Sequence, residues 1–460
     1  METNFINHDY INDLIKKNSI YSEQKITTIL ENIKLKKSLS LEEIAILLNI
    51  SDKKHLSQLF NLAEQMKKNI YGDRIVVFAP LYLSSFCINN CIYCGYKKSN
   101  NFPRKKLTMQ EIKDEVLALE KMGHKRLAIE IGEDPVNCDI NYILEALKTI
   151  YETKNENGSI RRANINIAAT TIENYKRLKE AGIGTYILFQ ETYHKPTYEV
   201  MHPDSLKSNY EYHLNSFSRC MEAGIDDVGA GVLFGLAPWQ FEILALIEHS
   251  NYLEKNYGVG FHTISVPRLK KADGMELDKF PNLIDDDTFK KIVAILRVAL
   301  PFTGLILSTR ETPILKKEVI RYGVSQISAG SCTGVGGYKD GEQKESLQFS
   351  LSDNRNPLEV LKELLSDGYI PSYCTACYRS ERTGDRFMSL AKSGNIQNVC
   401  LPNALMTLME YTMDYGDNEL KNMVFSIIEK QINNISNKDM KDLTKENIEK
   451  IKEGERDLFV

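Results

Sequence analysis

Short runs of β-branched and other apolar residues alternate with amphipathic, helix-like segments through the middle of the chain. The apolar runs predict eight strands, at about residues 75–83, 126–131, 164–168, 185–189, 227–233, 261–266, 304–308 and 324–328. Between them, apolar positions recur at helical spacing, and one such segment opens with the capping box Thr108-x-x-Glu111 and stops at Gly123. Eight βα units over about 255 residues predict a complete (β/α)8 TIM barrel, with a doubly wound sheet as the alternative.

The regions on either side of the barrel pattern are helical and lack strand alternation. Residues 1–72 are predicted to form an N-terminal helical extension, in which Ser40 and Glu43 make a capping box. Residues 73–345 are assigned to the barrel, and residues 346–460 to a C-terminal helical domain. We therefore expect a three-part chain built around one large α/β unit.

The distribution of charge and hydropathy indicates which kinds of molecule the protein binds. The 58 basic and 62 acidic residues are spread along the 460-residue chain, without a basic block interleaved with aromatic residues. A small-molecule substrate is favoured over nucleic acid. No apolar run approaches the roughly 18 residues of a membrane span, and no basic and then apolar leader opens the chain. These features predict a cytoplasmic protein without a membrane partner.

Nine cysteines in such a chain indicate metal binding or catalysis rather than disulfides. Cys87, Cys91 and Cys94 form a C-x3-C-x2-C run directly after the first predicted strand. Three thiolates on one loop suit an iron-sulfur cluster with one iron left open, whereas structural zinc sites normally use two separate C-x2-C pairs. Zinc and buried thiols remain the alternatives.

A second group, Cys374, Cys377 and Cys400, has the spacing C-x2-C-x22-C. A second cluster is one interpretation and zinc is the other. Because no histidine follows His262, a zinc site would need Cys332 or a carboxylate as its fourth ligand. The cysteines outside both groups are interpreted as small buried apolar residues. They are Cys138, Cys220 and Cys332.

Catalytic groups of a TIM barrel lie on the loops after the strands, and charged residues do collect there. Arg268 and Arg310 follow the sixth and seventh predicted strands and could clamp a substrate carboxylate, or form structural ion pairs instead. His262 lies inside the sixth predicted strand, where it is either a hydrogen-bonded core residue or a metal ligand. For Arg382, after the second cysteine group, a solvated helix face is favoured over a lid or anion contact.

The first cysteine run resembles the signature of the radical S-adenosylmethionine (SAM) enzymes. The resemblance implies a 4Fe-4S cluster whose open iron is chelated by SAM, and a 5'-deoxyadenosyl radical formed by reductive cleavage. Tyr93 matches the aromatic position near the adenine, and Glu191 is placed to accept hydrogen bonds from the ribose diol or the SAM amino group. For Glu191 and for Asp134 a solvated loop carboxylate is the alternative. His213 stands where relatives often carry an arginine, so its role stays open. The turn that resembles the one recognising the methionyl ammonium group contains Gly132, Glu133 and Asp134.

With both cysteine groups considered, the chain resembles the HydG-type tyrosine lyases of iron-iron hydrogenase maturation, from about residue 75 to residue 415. Its most specific motifs are Cys87-x3-Cys91-x2-Cys94, Gly132-Glu-Asp-Pro135, Gln190-Glu-Thr-Tyr193, Phe261-His-Thr-Ile-Ser-Val-Pro-Arg268 and Cys374-x2-Cys377-x22-Cys400. The resemblance implies that L-tyrosine is cleaved to p-cresol and dehydroglycine. Dehydroglycine would then yield carbon monoxide and cyanide, which ligate iron in a hydrogenase precursor.

The same resemblance implies a second 4Fe-4S cluster over the mouth of the barrel, with an additional iron held by His262 and a bridging free cysteine. An electron donor such as flavodoxin or ferredoxin and other hydrogenase maturation proteins would be partners. One alternative is the 2-iminoacetate synthase of thiamine thiazole biosynthesis, which shares the barrel chemistry and lacks the C-terminal cysteines. Another is a non-catalytic iron-sulfur or zinc scaffold that delivers iron.

Overall fold

The protein is described by a computed structural model covering residues 4–341 and 347–460. Eight of its strands are parallel neighbours in one sheet, and the sheet closes because the first strand also pairs with the last. The strands are β1 (Arg74–Ser84), β2 (Arg126–Ile131), β3 (Lys154–Asn155), β4 (Gly158–Ser159), β5 (Arg162–Asn166), β6 (Tyr186–Glu191), β7 (Val228–Val232), β8 (Thr263–Ser265), β9 (Gly304–Leu307), β10 (Gln326–Ser328) and β11 (Ile370–Ser372). Strands β3 and β4 form a separate small hairpin. The predicted (β/α)8 barrel is confirmed.

Closure of the barrel is explicit in the strand register. Val76 of β1 pairs with Gln326 of β10, and Phe78 pairs with Ser328. On its other side β1 pairs with β2 up to Ser84, with a register shift after Tyr82. This irregularity ends the strand where the first cysteine loop begins.

Most barrel strands differ from their predicted extents by one or two residues, and the differences at the starts of β5 and β8 concern charged or site residues at the amino-terminal end of the barrel. β5 begins at Arg162, paired with Arg126 of β2, whereas its prediction began at residue 164. β8 begins at Thr263, so His262 directly precedes the strand instead of lying inside it. Buried charged residues at strand starts resemble loop residues in sequence, which is why the β5 boundary was misplaced.

Helices surround the barrel, and most begin with a side-chain cap. Both predicted capping boxes, at Ser40 with Glu43 and at Thr108 with Glu111, are present. The α-helices of the described residues are α1 (His8–Lys17), α2 (Glu23–Lys34), α3 (Leu41–Asn49), α4 (Lys53–Tyr71), α5 (Met109–Lys121), α6 (Ile140–Glu152), α7 (Ile172–Glu180), α8 (Lys195–Met201), α9 (Tyr210–Leu214), α10 (Ser216–Glu222), α11 (Trp239–Tyr257), α12 (Asp286–Ala299), α13 (Pro313–Tyr322), α14 (Gly337–Asp340), α15 (Pro357–Ser366), α16 (Ala376–Arg379), α17 (Gly384–Lys392), α18 (Ile396–Tyr415), α19 (Asn418–Ile432) and α20 (Lys438–Lys452).

The three predicted regions share one hydrophobic core. Leu59 of the N-terminal helices, Ile295 of a barrel helix and Leu405 of the C-terminal helices belong to the same buried cluster. The predicted boundary between residues 345 and 346 lies at a position outside the described residues. Within the described part of the chain, no helix has the length and apolar character needed to cross a membrane.

Strand β11 determines where the second cysteine group lies. It pairs in parallel with the first residues of β1, Arg74 with Ile370 and Val76 with Ser372. Because the two strands run in the same direction, β11 brings Cys374 and the helices after it to the amino-terminal end of the barrel. The expectation that this region covers the mouth was wrong, because sequence order does not reveal at which end a late strand adds to a barrel.

Candidate functional site

The larger cavity lies at the carboxyl ends of the strands and has a volume of about 230 Å³. Cys87, Cys91 and Cys94 all line it, and all three are free thiols. This is the end at which TIM barrels carry their active sites, on the loops after the strands. The first cysteine group therefore has the placement expected for a catalytic cofactor.

One arginine holds the cysteine loop in shape. Arg104 donates hydrogen bonds to the carbonyl oxygens of Ser85 at 2.7 Å, Tyr96 at 2.6 Å and Lys97 at 2.6 Å. Bonds from one guanidinium to both ends of a loop fix the separation of those ends. The backbone N–H of Tyr96 also donates to the Cys94 sulfur at 3.4 Å.

Burial of the three thiols favours their neutral, protonated form when no cation lies beside them. Burial raises the pKa of Cys87, raises that of Cys91 to about 12 and raises that of Cys94 to about 11. A buried thiolate is stable only with a cation beside it, and iron provides one. No three histidine, cysteine or acidic residues of the described chain are arranged to hold a single metal ion. A cluster in which each thiolate binds a different iron requires no such arrangement.

A lysine beside the thiols contacts both Glu191 and Tyr93, the two residues predicted to contact SAM. Lys207 Nζ lies 2.8 Å from Glu191 Oε1 and 3.3 Å from the Tyr93 hydroxyl, which in turn lies 2.8 Å from His202 Nε2. Burial opposes the charge on Lys207, but Glu191 and the Cys91 thiol raise its pKa. Glu191 has a φ of 66°, a strained backbone conformation that functional sites often carry.

The predicted glycine turn divides into residues that line the cavity and one that does not. Gly132 and Glu133 line it, and a Cβ at Gly132 would collide with the Phe86 carbonyl oxygen. Burial raises the pKa of Glu133, whose carboxylate accepts a hydrogen bond from the Asn89 amide. Asp134 instead shapes the turn, since its carboxylate accepts from the backbone N–H of Asn137 at 2.9 Å.

His213 and the two arginines are placed differently from one another. Burial lowers the pKa of His213 to about 3, so the neutral ring donates through Nε2 to the Phe189 carbonyl oxygen at 2.9 Å. Arg310 lines the cavity over the ring of Phe349, and no described residue forms an ion pair with it. Arg268 lies outside the cavity lining, with Nε 3.0 Å from an oxygen of the buried Glu311.

Sequence reasoning missed two cavity residues. Lys207 lies in a short 3-10 helix, Leu206–Ser208, away from any strand end, so no pattern marked it. Glu130 lies on β2, where a charge among apolar residues just before the strand end was the available signal. Burial raises the pKa of Glu130 to about 8, and the Asn166 amide donates to its Oε2 at 2.7 Å.

The second cysteine group lines a smaller cavity, of about 50 Å³, at the opposite end of the barrel. Cys374 and Cys377 follow β11, and Cys400 comes from α18. The hydrogen bond from Cys377 and the nearby Arg74 lower the pKa of Cys400 to about 6, and the same bond raises that of Cys377. These three thiols are therefore brought together by the fold, as the spacing predicted.

His262 belongs to this second cavity because it precedes β8. Its Nε2 lies 3.4 Å from the Tyr378 hydroxyl and 4.0 Å from Asp227 Oδ2, and burial lowers its pKa. A neutral imidazole is the form that binds metal. His262 is therefore buried, as a core residue would be, and it also lines the cavity of the second thiol group, as a metal ligand would.

Guanidinium groups surround the second cavity, and sequence reasoning missed their role. Arg74, Arg126 and Arg382 line it, and the buried Nε of each lacks a hydrogen-bond partner among the described residues. Buried donors are normally paired, so three unpaired ones indicate an anionic group. A thiolate-ligated iron-sulfur cluster is such a group. For Arg382 the favoured solvated helix face was wrong, and its position agrees with the other alternative, an anion contact, because it follows α16 in a loop and lines this cavity.

Comparison with known proteins gives matches along most of the chain. Residues 81–244 match the Radical SAM superfamily, and residues 265–370 match the Biotin and Thiamin Synthesis associated domain. The 2-iminoacetate synthase of Salmonella typhimurium is 31% identical over 334 residues, which are 72% of this chain and 86% of the relative.

Two solved structures are similar over nearly the whole chain. A crystal structure of HydG, described as a maturase of the [FeFe]-hydrogenase, has a TM-score of 0.96 and 55% identity, covering 99% of this chain and 100% of the other. The X-ray structure of the FeFe-hydrogenase maturase HydG from Carboxydothermus hydrogenoformans has a TM-score of 0.84 and 38% identity, covering 96% and 97%.

Proposed function

Because the chain belongs to the radical SAM superfamily and, within it, to the HydG maturases, we propose that it cleaves L-tyrosine and builds an iron-carbonyl-cyanide precursor for iron-iron hydrogenase. The products of the first stage would be p-cresol and dehydroglycine. Carbon monoxide and cyanide would form in the second stage. The observation that supports this division best is that two sets of three free thiols line cavities at opposite ends of one barrel.

The carboxyl-end cavity would hold SAM and tyrosine. Cys87, Cys91 and Cys94 would ligate a 4Fe-4S cluster, which together with SAM supplies the 5'-deoxyadenosyl radical. The chain's own contribution is to bind, orient and exclude water, because an alkyl radical reacts with whatever it meets. The volume of about 230 Å³ inside a ring of strands is suited to that enclosure.

The residues that line this cavity are assigned to its two ligands, SAM and tyrosine. We assign Tyr93, Gly132, Glu133 and Glu191 to SAM, with Lys207 holding the Glu191 carboxylate in position. The remaining predicted residues of the turn and wall, Asp134 and His213, would support the cavity through the backbone bonds they make.

Arg310 would bind the tyrosine carboxylate, since guanidinium geometry matches a carboxylate and this one has no described ion-pair partner. Arg268, predicted as the second clamp, would act from outside the cavity. It holds Glu311, the residue next to Arg310 in the chain. Its role would be to position the loop after β9.

The amino-end cavity would hold the second 4Fe-4S cluster on Cys374, Cys377 and Cys400. His262 would ligate the additional iron, with a free cysteine as the bridging group. The Nε atoms of Arg74 and Arg126, which have no hydrogen-bond partner among residues 4–341 and 347–460, support an anionic occupant here. We keep the division into residues 1–72, 73–345 and 346–460, with the last carrying this cluster.

The competing functions differ in their products. A 2-iminoacetate synthase would cleave tyrosine without making iron-bound carbon monoxide or cyanide, and a passive scaffold would not cleave SAM. The experiment is anaerobic reconstitution with iron and sulfide, then reduction by dithionite in the presence of SAM and tyrosine. We expect 5'-deoxyadenosine, p-cresol and infrared bands of iron-bound CO and CN.

Two outcomes would contradict the proposal. Formation of p-cresol without the infrared bands would favour the synthase, and absence of 5'-deoxyadenosine would favour the scaffold. In the cell a flavodoxin or ferredoxin would replace dithionite, and other hydrogenase maturation proteins would take up the product.

A further inference from the structure

A third carboxylate in the carboxyl-end cavity has no assigned role. Glu130 is the next-to-last residue of β2 and lines the cavity. The Asn166 amide donates to its Oε2 at 2.7 Å and so fixes the plane of the carboxyl group. No described residue donates a hydrogen bond to the other oxygen, Oε1. Glu130 therefore offers one free acceptor in an oriented position.

The other two cavity carboxylates are already committed. Glu191 is paired with Lys207 at 2.8 Å, and Glu133 accepts a bond from Asn89. Both also lie near the cysteine loop, since Glu191 and Glu133 each act electrostatically on its thiols. Arg310, the guanidinium proposed above for the substrate carboxylate, acts electrostatically on Glu130, and Glu191 acts on both of them.

The surroundings of Glu130 set its affinity for a proton. Burial raises the pKa of Glu130 to about 8, the Asn166 bond and Arg310 oppose that rise, and Glu191 adds to it. Glu130 also acts electrostatically on Tyr82 and Tyr96, whose hydroxyls donate to Gln348 Oε1 and to the Thr333 carbonyl oxygen, and burial raises the pKa of both, so both stay neutral. A carboxyl group with this pKa is mostly protonated at pH 7 while the cavity is empty, but the positive charge of an ammonium group beside it favours the carboxylate, and the raised pKa makes that carboxylate a better proton acceptor than an exposed one.

We propose that Glu130 binds the α-ammonium group of tyrosine through Oε1 and accepts one of its protons, while Arg310 holds the carboxylate. The inference rests on the proposed function and names the proton acceptor that it requires. In this step one N–H bond breaks, its electron pair stays on nitrogen, and an O–H bond forms on Glu130. The amine is then neutral when the radical removes a hydrogen atom from it.

The first test is Glu130→Gln in the reconstituted enzyme, since the amide oxygen still accepts the Asn166 bond and no longer takes a proton. We expect kcat for p-cresol to fall about 100-fold or more at pH 7, the usual contribution of a general base. The loss should shrink as the pH rises toward the pKa of the substrate amino group, because solvent then deprotonates more of the amine. SAM affinity and SAM cleavage without tyrosine should stay within about twofold.

A binding measurement separates the ammonium contact from a structural effect. Glu130→Gln should weaken tyrosine binding, yet leave binding of 3-(4-hydroxyphenyl)propanoate, which lacks the amino group, unchanged. Glu130→Asp should restore part of kcat, because its carboxylate can still accept a proton. If the Gln variant affects both ligands equally, the role is structural and the proposal is overturned.

Two further outcomes would overturn it. One is a Gln variant with p-cresol formation within about threefold of wild type and an unchanged pH profile. The other is loss of SAM cleavage in both variants, which would assign Glu130 to SAM. Failure of the proposed function differs from both, because the wild-type enzyme itself would then form no p-cresol.

Discussion

The two cavities of this barrel differ in size and in how their charges are paired. At the carboxyl end, about 230 Å³ is available, and Lys207 neutralises Glu191 within the wall. At the amino end, about 50 Å³ is available, and the Nε atoms of Arg74 and Arg126 have no hydrogen-bond partner in the part of the chain that the structure describes. A roomy cavity with internal pairs suits neutral or zwitterionic organic ligands, whereas a tight one with excess positive charge suits a compact anion. Three thiols alone do not define a site; the charges around them decide what chemistry they support.

The largest effect should come from the carboxyl-end thiols. Replacing Cys87, Cys91 or Cys94 by Ala removes a cluster ligand, and we expect 5'-deoxyadenosine formation to fall more than about 100-fold. Chromatography of the reaction mixture measures this. Cys220→Ala is the matched control, because Cys220 is fully buried on α10 and lines neither cavity. Activity retained in all three variants would assign the radical chemistry elsewhere.

Removing the amino-end thiols should separate the two stages. In the double variant Cys374→Ala with Cys377→Ala, we expect p-cresol formation within about threefold of wild type, since these residues lie at the other end of the barrel. The infrared bands of iron-bound CO and CN should disappear. Cys138→Ala, buried outside both cavities, is the control. Bands at wild-type yield would refute the division and favour a structural zinc site.

Comparing the two arginines tests which one faces the substrate. Arg310→Gln should raise KM for tyrosine about 10-fold to 100-fold, the usual effect of losing a charged hydrogen bond. Arg268→Gln should raise KM by at most about threefold, because it only positions the loop that carries Arg310, and should lower the free energy of unfolding by at most about 3 kcal/mol, since Lys270 still lies 3.3 Å from Glu311. Steady-state kinetics and chemical denaturation measure the two effects. Reversed results would place Arg268 at the substrate.

A smaller effect is expected when the carboxyl-end ion pair is broken. Glu191→Gln should weaken SAM binding about tenfold and leave cluster absorbance intact, because the pair with Lys207 orders the SAM side of the cavity. Equilibrium binding of SAM to the reconstituted protein measures this. Glu199→Gln, exposed on α8, is the control. Unchanged SAM affinity would make Glu191 an ordinary loop carboxylate.

The mildest effect should come from the amino-end imidazole. His262→Ala removes one proposed ligand of the additional iron and leaves every thiol in place, so we expect iron-carbonyl-cyanide yield to fall about tenfold. p-Cresol yield and absorbance of both clusters should stay unchanged. His55→Ala, on α4 with its ring against Asp52, controls for the loss of an imidazole. An unaltered yield would return His262 to the class of core residues.

The sequence predicted the barrel well because strand and helix periodicity are local properties. All eight barrel strands appear, and the cysteine run lies at the expected strand end. The end at which Cys374 lies was not predictable, because it depends on the pairing of β11 with β1, a long-range contact. Glu130 was missed for another reason: one charged residue within a strand has no periodicity, and its meaning depends on neighbours from other strands.

Strand β1 sets the distance between the two ends of the barrel. It hydrogen-bonds to three other strands, its first residue, Arg74, lines one cavity, and its last, Ser84, leads into the loop of the other. At a strand's usual rise its 11 residues span roughly 33 Å. Loops tolerate insertions, whereas a single residue added inside a strand turns every later side chain to the opposite face. Insertions can therefore change the loops around each cavity, while β1 keeps the separation between the two ends of the barrel almost constant.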